Sequence, residues 1–200
     1  TRSTGVRILL EELAAPHELQ VLNMRAGEQT RPEYLAINPL GKVPALTHGD
    51  ALITEQVAIY IYLADLFPAA GLAPSLNDPQ RGPYLRWLAF YSSSFEPALI
   101  DRAAQHEPVS HAMSPYGDYD TVMRVINDQL AAGRYLLGDR FTAADLLWGI
   151  ALRWTTGFKL VAETPQIAAY IARVAERPAV QKIQALETEL AAQHEAAAGA

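Results

Sequence analysis

A proline-rich stretch, residues 67–83, divides the sequence into two parts whose apolar residues follow different periods. Before it, apolar residues recur at helical spacing, then in short alternating runs, then at helical spacing again. After it, only helical spacing occurs. Because the stretch itself has no sustained period, it is typical of an interdomain linker. We therefore predict an α/β domain over residues 1–70, a linker over 71–79 and an all-helical domain over 80–200.

The first domain is predicted to combine helices with short strands. In chain order the predicted elements are a helix over 3–15, a strand over 19–24, a helix-like connector, a hairpin of 45–48 with 51–53, and a helix from 54 to 67. Pro16 and Pro68 end the two helical patterns, because proline cannot continue a helix. Gly49-Asp50 is typical of a tight hairpin turn.

The second domain is predicted to be helical throughout. The predicted helices are about 84–104, 119–132, 143–155, 165–177 and 179–194. Two of them have clear start signals. Thr142 followed three residues later by Asp145 resembles a capping box, and Thr164-Pro165 places proline at the first helical position.

Composition excludes several classes of function. The chain has no cysteine, which excludes disulfides, thiolate metal sites and a cysteine nucleophile. Its formal net charge is −6 and no Lys or Arg cluster occurs, so we expect no nucleic-acid partner. Five scattered histidines lack the spacing of metal ligands, so we expect no metal. The longest uncharged apolar run, 57–64, is far shorter than the roughly 20 residues of a membrane helix, and no leader-like segment is seen, so we expect a cytoplasmic protein without membrane contact.

Pro44 lies where a strand is about to begin, and two interpretations are open. A trans proline can start an edge strand, because such a position needs no N–H donor. Alternatively, the Val43-Pro44 bond is cis, which occurs in about 5–6% of X–Pro bonds and would turn the backbone groups of Val43 outward toward a ligand.

The surrounding segment strongly resembles the glutathione-binding half of the cytosolic glutathione S-transferase family, in its bacterial form. The resemblance is carried by NPLGKVPALTHGDALITEQVAIYIYLADLFP at 38–68, GDRFTAADLLWG at 138–149 and RPAVQK at 177–182. It covers nearly the whole chain. It implies a thioredoxin-like N-terminal domain, a C-terminal helical bundle and a transferase that uses glutathione as co-substrate.

The resemblance also implies which residues bind glutathione. Val43, before a cis Pro44, would pair its backbone with the cysteinyl part of the tripeptide. Lys42 would lie near the glycyl carboxylate, although it is also readable as a solvated lysine. Glu55 would hold the ligand's ammonium, and Gln56 at a helix start would meet the γ-glutamyl carboxylate. The family more often has Ser or Thr where Gln56 stands.

The residue that activates the thiol is sought near the start of the first helix. Ser3 is the first candidate, beside Thr1 and Arg2; an N-cap serine is, however, far more often only a cap. The family pattern opens with a strand before this helix, and the sequence begins at Thr1 without it. Either that strand and the activating hydroxyl lie upstream of Thr1, or the domain is one strand short.

The hydrophobic co-substrate is expected on the first helix of the second domain. Aromatic residues recur there at three- and four-residue steps, and we select Tyr91 and Phe95, with Tyr116 from the following loop, as substrate-binding candidates. Such a stripe is also typical of a core. The family resemblance further implies a homodimer and a role in detoxification.

Three other functions fit the same sequence. A glutathione-dependent isomerase or dehalogenase would use the same thiolate. A non-catalytic binder would hold glutathione or a hydrophobic ligand without conjugating it. A structural or regulatory protein would have lost the glutathione site altogether, an alternative suggested by Gln56.

Overall fold

The computed structural model describes residues 1–106 and 109–198. The α-helices in this part of the chain are α1 (Arg2–Glu12), α2 (Pro32–Leu35), α3 (Gln56–Leu66), α4 (Arg81–Phe90), α5 (Glu96–Ala103), α6 (Tyr119–Ala132), α7 (Ala143–Gly157), α8 (Pro165–Ala175) and α9 (Pro178–Ala198). The strands are β1 (Leu46–His48) and β2 (Ala51–Ile53), and short 3-10 turns span Met24–Ala26, Glu28–Thr30 and Pro68–Ala70. These elements pack as two compact units, one formed by residues 1–70 with the segment from Arg177 onward, the other by residues from Gly71 to Glu176.

The predicted hairpin is confirmed. Strands β1 and β2 pair antiparallel, with Leu46 opposite Ile53 and His48 opposite Ala51. Gly49 has a φ of +57°, a left-handed conformation that glycine adopts without steric cost. The local turn chemistry was therefore sufficient to predict this hairpin.

The predicted strand over residues 19–24 is wrong. Residues 15–23 have no regular secondary structure, and a 3-10 turn begins at Met24. A strand is defined by backbone pairing with a neighbour, and the sheet in the described residues contains only β1 and β2. Leu19 and Val21 consequently remain 48% and 41% exposed.

Helix α1 forms the centre of the first unit. It buries Ile8 and Leu9 completely and packs against both α3 and α9. Glu12, near its end, pairs with Arg177 through contacts of 2.5 and 2.6 Å, a two-pronged arrangement that fixes the start of α9. The final helix, which the sequence assigned to the helical domain, therefore packs with the N-terminal residues.

Helices α4 to α8 make up the second unit, and their predicted positions agree with the observed ones to within a few residues. Helices α4 and α5 are continuous through a π-helical turn, Tyr91–Phe95. Trp148 of α7 lies at the centre of this unit, where it is fully buried and donates its indole N–H to the Trp87 carbonyl at 2.9 Å. Aromatic rings surround it on several sides.

The predicted capping box at the start of α7 is also confirmed. The Asp145 carboxylate accepts hydrogen bonds from the Thr142 N–H, the Leu136 N–H and the Tyr170 hydroxyl at 2.8, 2.8 and 2.9 Å. Burial raises the pKa of Asp145, and these donors oppose that effect. The carboxylate thereby joins the α7 start, the preceding loop and α8.

Candidate functional site

The Val43–Pro44 peptide bond is cis, which decides between the two interpretations open at the sequence level. The loop that precedes it is fixed through the Lys42 carbonyl, which accepts hydrogen bonds from the Tyr34 hydroxyl at 2.7 Å and the Asn38 side-chain amide at 2.8 Å. Burial raises the pKa of Tyr34, so its hydroxyl stays a donor. The backbone before Pro44 is thus held in place from the side of α2.

The Lys42 side chain is exposed and forms no ion pair with any carboxylate of the described residues. Its ammonium group lies at the end of a flexible side chain. The backbone of the same residue is fixed by the hydrogen bonds to its carbonyl. Such a group can meet a carboxylate of a bound ligand as a point charge.

Glu55 and Gln56 form the junction between the hairpin and α3. Glu55 is the N-cap of the helix and has a φ of +64° and a ψ of 113°. A positive φ is uncommon for a residue with a Cβ, and such conformations concentrate at ligand sites. No side chain caps the first turn of α3 in the described residues, so its N–H groups are open to an anion.

Gln56 joins the starts of two helices. Its Nε2 donates a hydrogen bond to the Arg2 carbonyl at 3.1 Å, although the two residues are 54 positions apart in the chain. Its Oε1 is buried and has no hydrogen-bond partner among the described residues. An amide nitrogen carries two hydrogens, so one donor remains after the contact with Arg2.

Ser3 is the second residue of α1 rather than its N-cap, which corrects the capping alternative considered from the sequence. Thr1 holds the N-cap position and makes no side-chain capping bond. The Ser3 side chain is half-buried, and its hydroxyl has no hydrogen-bond partner in the part of the chain that the structure describes. The hydroxyl is therefore available to an incoming group.

A cavity of about 810 Å³ within the first unit brings several of these residues together. Its wall includes Ser3, Val43 and Pro44, together with residues 15–25. Lys42, Glu55 and Gln56 are not part of this wall. The structure thus brings Ser3 together with Val43, and separately brings Gln56 to the start of α1.

The two predicted substrate residues on the first helix of the second unit are core residues in the structure. Tyr91 and Phe95 are only 2% and 1% exposed. Their ring centroids lie 5.6 and 4.9 Å from that of Trp148, and the Tyr91 hydroxyl donates to Glu96 at 2.8 Å. The helical spacing of the stripe was identified correctly, but the stripe packs inside its own unit and presents no surface to a substrate.

Tyr116 is half-buried and tied to Asp101, to which its hydroxyl donates at 2.7 Å. His106 Nδ1 lies 2.9 Å from the other oxygen of the same carboxylate. The hydrogen bond from Tyr116 lowers the pKa of Asp101, with His106 as the second cause. Tyr116 therefore anchors the loop before α6; its proposed role in substrate binding stays a prediction.

Two contacts of the site could not be predicted from the sequence. These are the hydrogen bond from the Tyr34 hydroxyl to the Lys42 carbonyl and the hydrogen bond from the Gln56 amide to the Arg2 carbonyl. Both depend on how separate elements pack against each other. Asn38 is part of the NPLGKVP motif, but the sequence did not predict that its side chain binds the Lys42 carbonyl.

Within 1–106 and 109–198, no three side chains of His, Asp or Glu are grouped as metal ligands. No helix in these ranges is long and apolar enough to cross a membrane.

Comparison with known proteins relates these features to one family. The profile described as "Glutathione S-transferase, N-terminal domain" matches residues 2–66, and that of "Glutathione S-transferase, C-terminal domain" matches residues 118–185. Glutathione S-transferase GstA of Escherichia coli O157:H7 is 33% identical over 160 residues, which cover 79% of this chain and 80% of that protein. Glutathione S-transferase 2 of Schizosaccharomyces pombe is 31% identical over 201 residues, covering 88% and 87%.

Solved structures agree. A glutathione transferase from Methylococcus capsulatus superposes with a TM-score of 0.79 at 31% identity, over 94% of this chain and 95% of that one. A sphingomonad glutathione S-transferase solved with glutathione superposes with a TM-score of 0.76 at 28% identity, over the same shares. The predicted combination of a thioredoxin-like domain with a helical domain is confirmed. The chain belongs to the glutathione S-transferase family.

Proposed function

We propose that, in this glutathione transferase, Val43, Glu55 and Gln56 hold glutathione, and that Ser3 stabilises its thiolate for attack on a hydrophobic electrophile. The observation that carries the proposal is the junction of the two helix starts. Gln56 ties the first turn of α3 to Arg2 at the start of α1, and Ser3 of α1 lines the same cavity as Val43 and Pro44, whose peptide bond is cis. This arrangement suits a tripeptide with a carboxylate at each end.

The γ-glutamyl end of glutathione fits the start of α3. Its carboxylate would accept from the uncapped N–H groups of the first turn and from the second hydrogen of the Gln56 amide. The Glu55 carboxylate at the same position would hold the adjacent ammonium. The helix dipole contributes about 0.3–1 kcal/mol to binding of the carboxylate.

The middle of the tripeptide fits Val43. An extended peptide can pair with a short exposed backbone segment as an added strand, which supplies affinity through main-chain hydrogen bonds. The exposed Lys42 next to it would meet the glycyl carboxylate. The hydrogen bonds from Tyr34 and Asn38 fix this segment before the ligand arrives, so less ordering is needed on binding.

The thiol is activated by charge stabilisation. Lowering a thiol pKa of about 8.5 by about two units requires about 2.7 kcal/mol of preference for the thiolate. A hydrogen bond to a charged group supplies about 1.5–3 kcal/mol. One hydrogen bond from the Ser3 hydroxyl to the thiolate, at the start of α1, would therefore be sufficient for this pKa shift. The thiolate sulfur then donates its electron pair to the electrophilic carbon, a C–S bond forms, and the leaving group departs with the electrons of the bond it breaks.

The test combines glutathione binding with conjugation of a generic aryl halide. Calorimetry should show saturable binding at millimolar glutathione or below, and no binding would refute the proposal. Ser3→Ala should lower kcat by about ten- to a hundredfold and shift its pH dependence to higher pH, because about 1.5–3 kcal/mol of thiolate stabilisation is lost. Ser75→Ala, at an exposed position of the second unit, is the matched control and should change neither.

The same measurements separate the alternatives. Binding without conjugation of any electrophile would indicate a non-catalytic binder. Turnover of a halogenated or isomerisable substrate with release of free glutathione would indicate a dehalogenase or isomerase. If Ser3→Ala leaves conjugation unchanged, another group activates the thiol.

We also propose that the protein is a cytoplasmic homodimer that acts in detoxification, as the family resemblance implies. Large apolar side chains such as Leu40, Leu52 and Leu66 are exposed in the first unit, which supports a contact with a second copy. Light scattering coupled to size-exclusion chromatography should give about twice the chain mass of 21.9 kDa. A monomer at micromolar concentration would refute the dimer.

A further inference from the structure

A second cavity, of about 630 Å³, opens on the surface of the second unit between the end of α6 and one face of α8, from its first turn to its last. Its wall is formed by Leu130, Ala131, Gly133, Arg134, Pro165, Gln166, Ala169 and Arg173. Two of these residues are arginines and none is acidic. In a chain with six more acidic than basic residues, an acid-free wall with two guanidinium groups is a distinct electrostatic feature.

The two arginines have no carboxylate partner among the described residues. Six other arginines do form ion pairs, namely Arg7, Arg25, Arg31, Arg102, Arg140 and Arg177. Arg134 and Arg173 instead lie 5.5 and 5.9 Å from the ring centroids of Tyr135 and Tyr170. These rings support the side chains without neutralising their charge.

Arg173 provides the more specific signal. Its Nε is buried and has no hydrogen-bond partner in the described part of the chain. A buried donor without an acceptor is costly, and in native proteins such a group usually has a function or an unseen partner. An oxygen of a bound anion would satisfy it.

The start of α8 adds a further donor. Thr164 caps the helix by accepting from the Ile167 N–H at 3.3 Å, and Pro165 has no N–H. The Gln166 N–H has no acceptor among the described residues. Helix α8 has 11 residues, and its dipole favours a negative charge at this first turn, whereas Arg173 contributes its charge from the last turn.

We infer that this cavity binds an oxyanion of the phosphate class, either free or as the head group of a small organic molecule. Guanidinium groups bind phosphate through paired, charge-assisted hydrogen bonds. Leu130, Ala131 and Ala169 give the rest of the wall an apolar character, which suits an organic remainder. The site lies in a different unit from the residues proposed to hold glutathione.

The experiment uses the full chain with inorganic phosphate and with phenyl phosphate, each titrated by calorimetry at constant ionic strength. Saturable binding of either probe is expected, and binding of phenyl phosphate alone identifies an organic ligand. Arg134→Gln and Arg173→Gln should each weaken binding at least tenfold. Arg124→Gln, at an exposed position elsewhere on α6, is the matched control and should leave binding unchanged.

Three outcomes would overturn the inference. The first is no saturable binding of either probe, and the second is an Arg134→Gln variant that binds the probes as tightly as the unchanged protein. The third is an Arg124→Gln control that weakens binding as much as the two cavity variants do. Arg134 is exposed, so its replacement keeps the fold and the test remains decisive even if the Arg173 variant does not fold. Conjugation of glutathione should be the same in all of these variants, which separates this site from the proposed catalytic one.

Discussion

An alanine at Gly5 would disturb the proposed glutathione site indirectly, by displacing a neighbouring side chain. Gly5 is buried in α1, and a Cβ built there would lie 2.7 Å from the Tyr60 hydroxyl oxygen and 3.0 Å from the Gln56 Nε2. The Tyr60 side chain is fully buried and can move little. The Gln56 amide is the end of a flexible side chain, so it would give way and lose its contact with the Arg2 carbonyl.

Two opposite effects on stability are expected from Gly5→Ala. Overpacking of a core costs about 1–3 kcal/mol, while alanine favours a helix over glycine by about 1 kcal/mol. The net loss is about 0–2 kcal/mol, which lowers Tm by no more than about 8 °C for a chain of this size. The effect on glutathione binding should be larger than the effect on stability. Displacement of Gln56 would remove its proposed hydrogen bond to the γ-glutamyl carboxylate, and a hydrogen bond to a charged group contributes about 1.5–3 kcal/mol. The KM for glutathione should rise about ten- to a hundredfold.

Steady-state kinetics at saturating electrophile measure this effect, with urea unfolding as the measure of stability. Gly82→Ala is the matched control, because Gly82 also lies early in a helix but a Cβ there would meet no atom within 4 Å. The control should leave KM unchanged. A loss of stability in Gly5→Ala with an unchanged KM would show that Gln56 takes no part in binding, and an equal KM change in both variants would show that the effect is not local.

Two further predictions concern the second unit. Gly149→Ala should lower the free energy of unfolding by about 1–3 kcal/mol, since its Cβ would lie 2.5 Å from a methyl carbon of Val174. Gly157→Ala in the same helix is the control and should not destabilise, because a Cβ there meets no atom within 4 Å. Urea unfolding that ranks the two variants the other way would contradict this. Tyr116→Phe should raise the pKa of the Asp101 carboxyl toward its ordinary value, because the Tyr116 hydroxyl is the main cause of its lowering. The contact thus stabilises the fold above the ordinary carboxyl pKa and is lost as pH falls through the lowered value; an unchanged carboxyl titration by NMR would refute the assignment.

Local patterns were sufficient for most of the fold. The Gly49-Asp50 turn and the capping box before α7 each depend on residues within a few positions of each other, and both were predicted correctly. The run at 19–24 has the same alternation as a strand, but a strand also needs a partner elsewhere in the chain, and alternation carries no information about one.

The candidate site shows the same division between local and distant determinants. The residues around Pro44 left a cis and a trans bond open, and the cis bond was implied by the resemblance of the NPLGKVP segment to the family. The aromatic stripe with Tyr91 and Phe95 revealed one face of a helix but could not reveal that Trp148, more than 50 residues later, covers it. Helical periodicity identifies a buried face, and only packing distinguishes a core from a pocket.

The glutamine at position 56, where the family more often has Ser or Thr, has a structural explanation. A serine or threonine at a helix start has a single hydroxyl donor, whereas the Gln56 amide has two hydrogens. One of them reaches across to the Arg2 carbonyl, so the first turns of α1 and α3 are held at a fixed separation. The second hydrogen would be the donor to the proposed ligand carboxylate. Gln56 therefore positions the start of α1, where Ser3 lies, relative to the helix end that would bind the γ-glutamyl carboxylate, and a change at either helix start should be felt at the other.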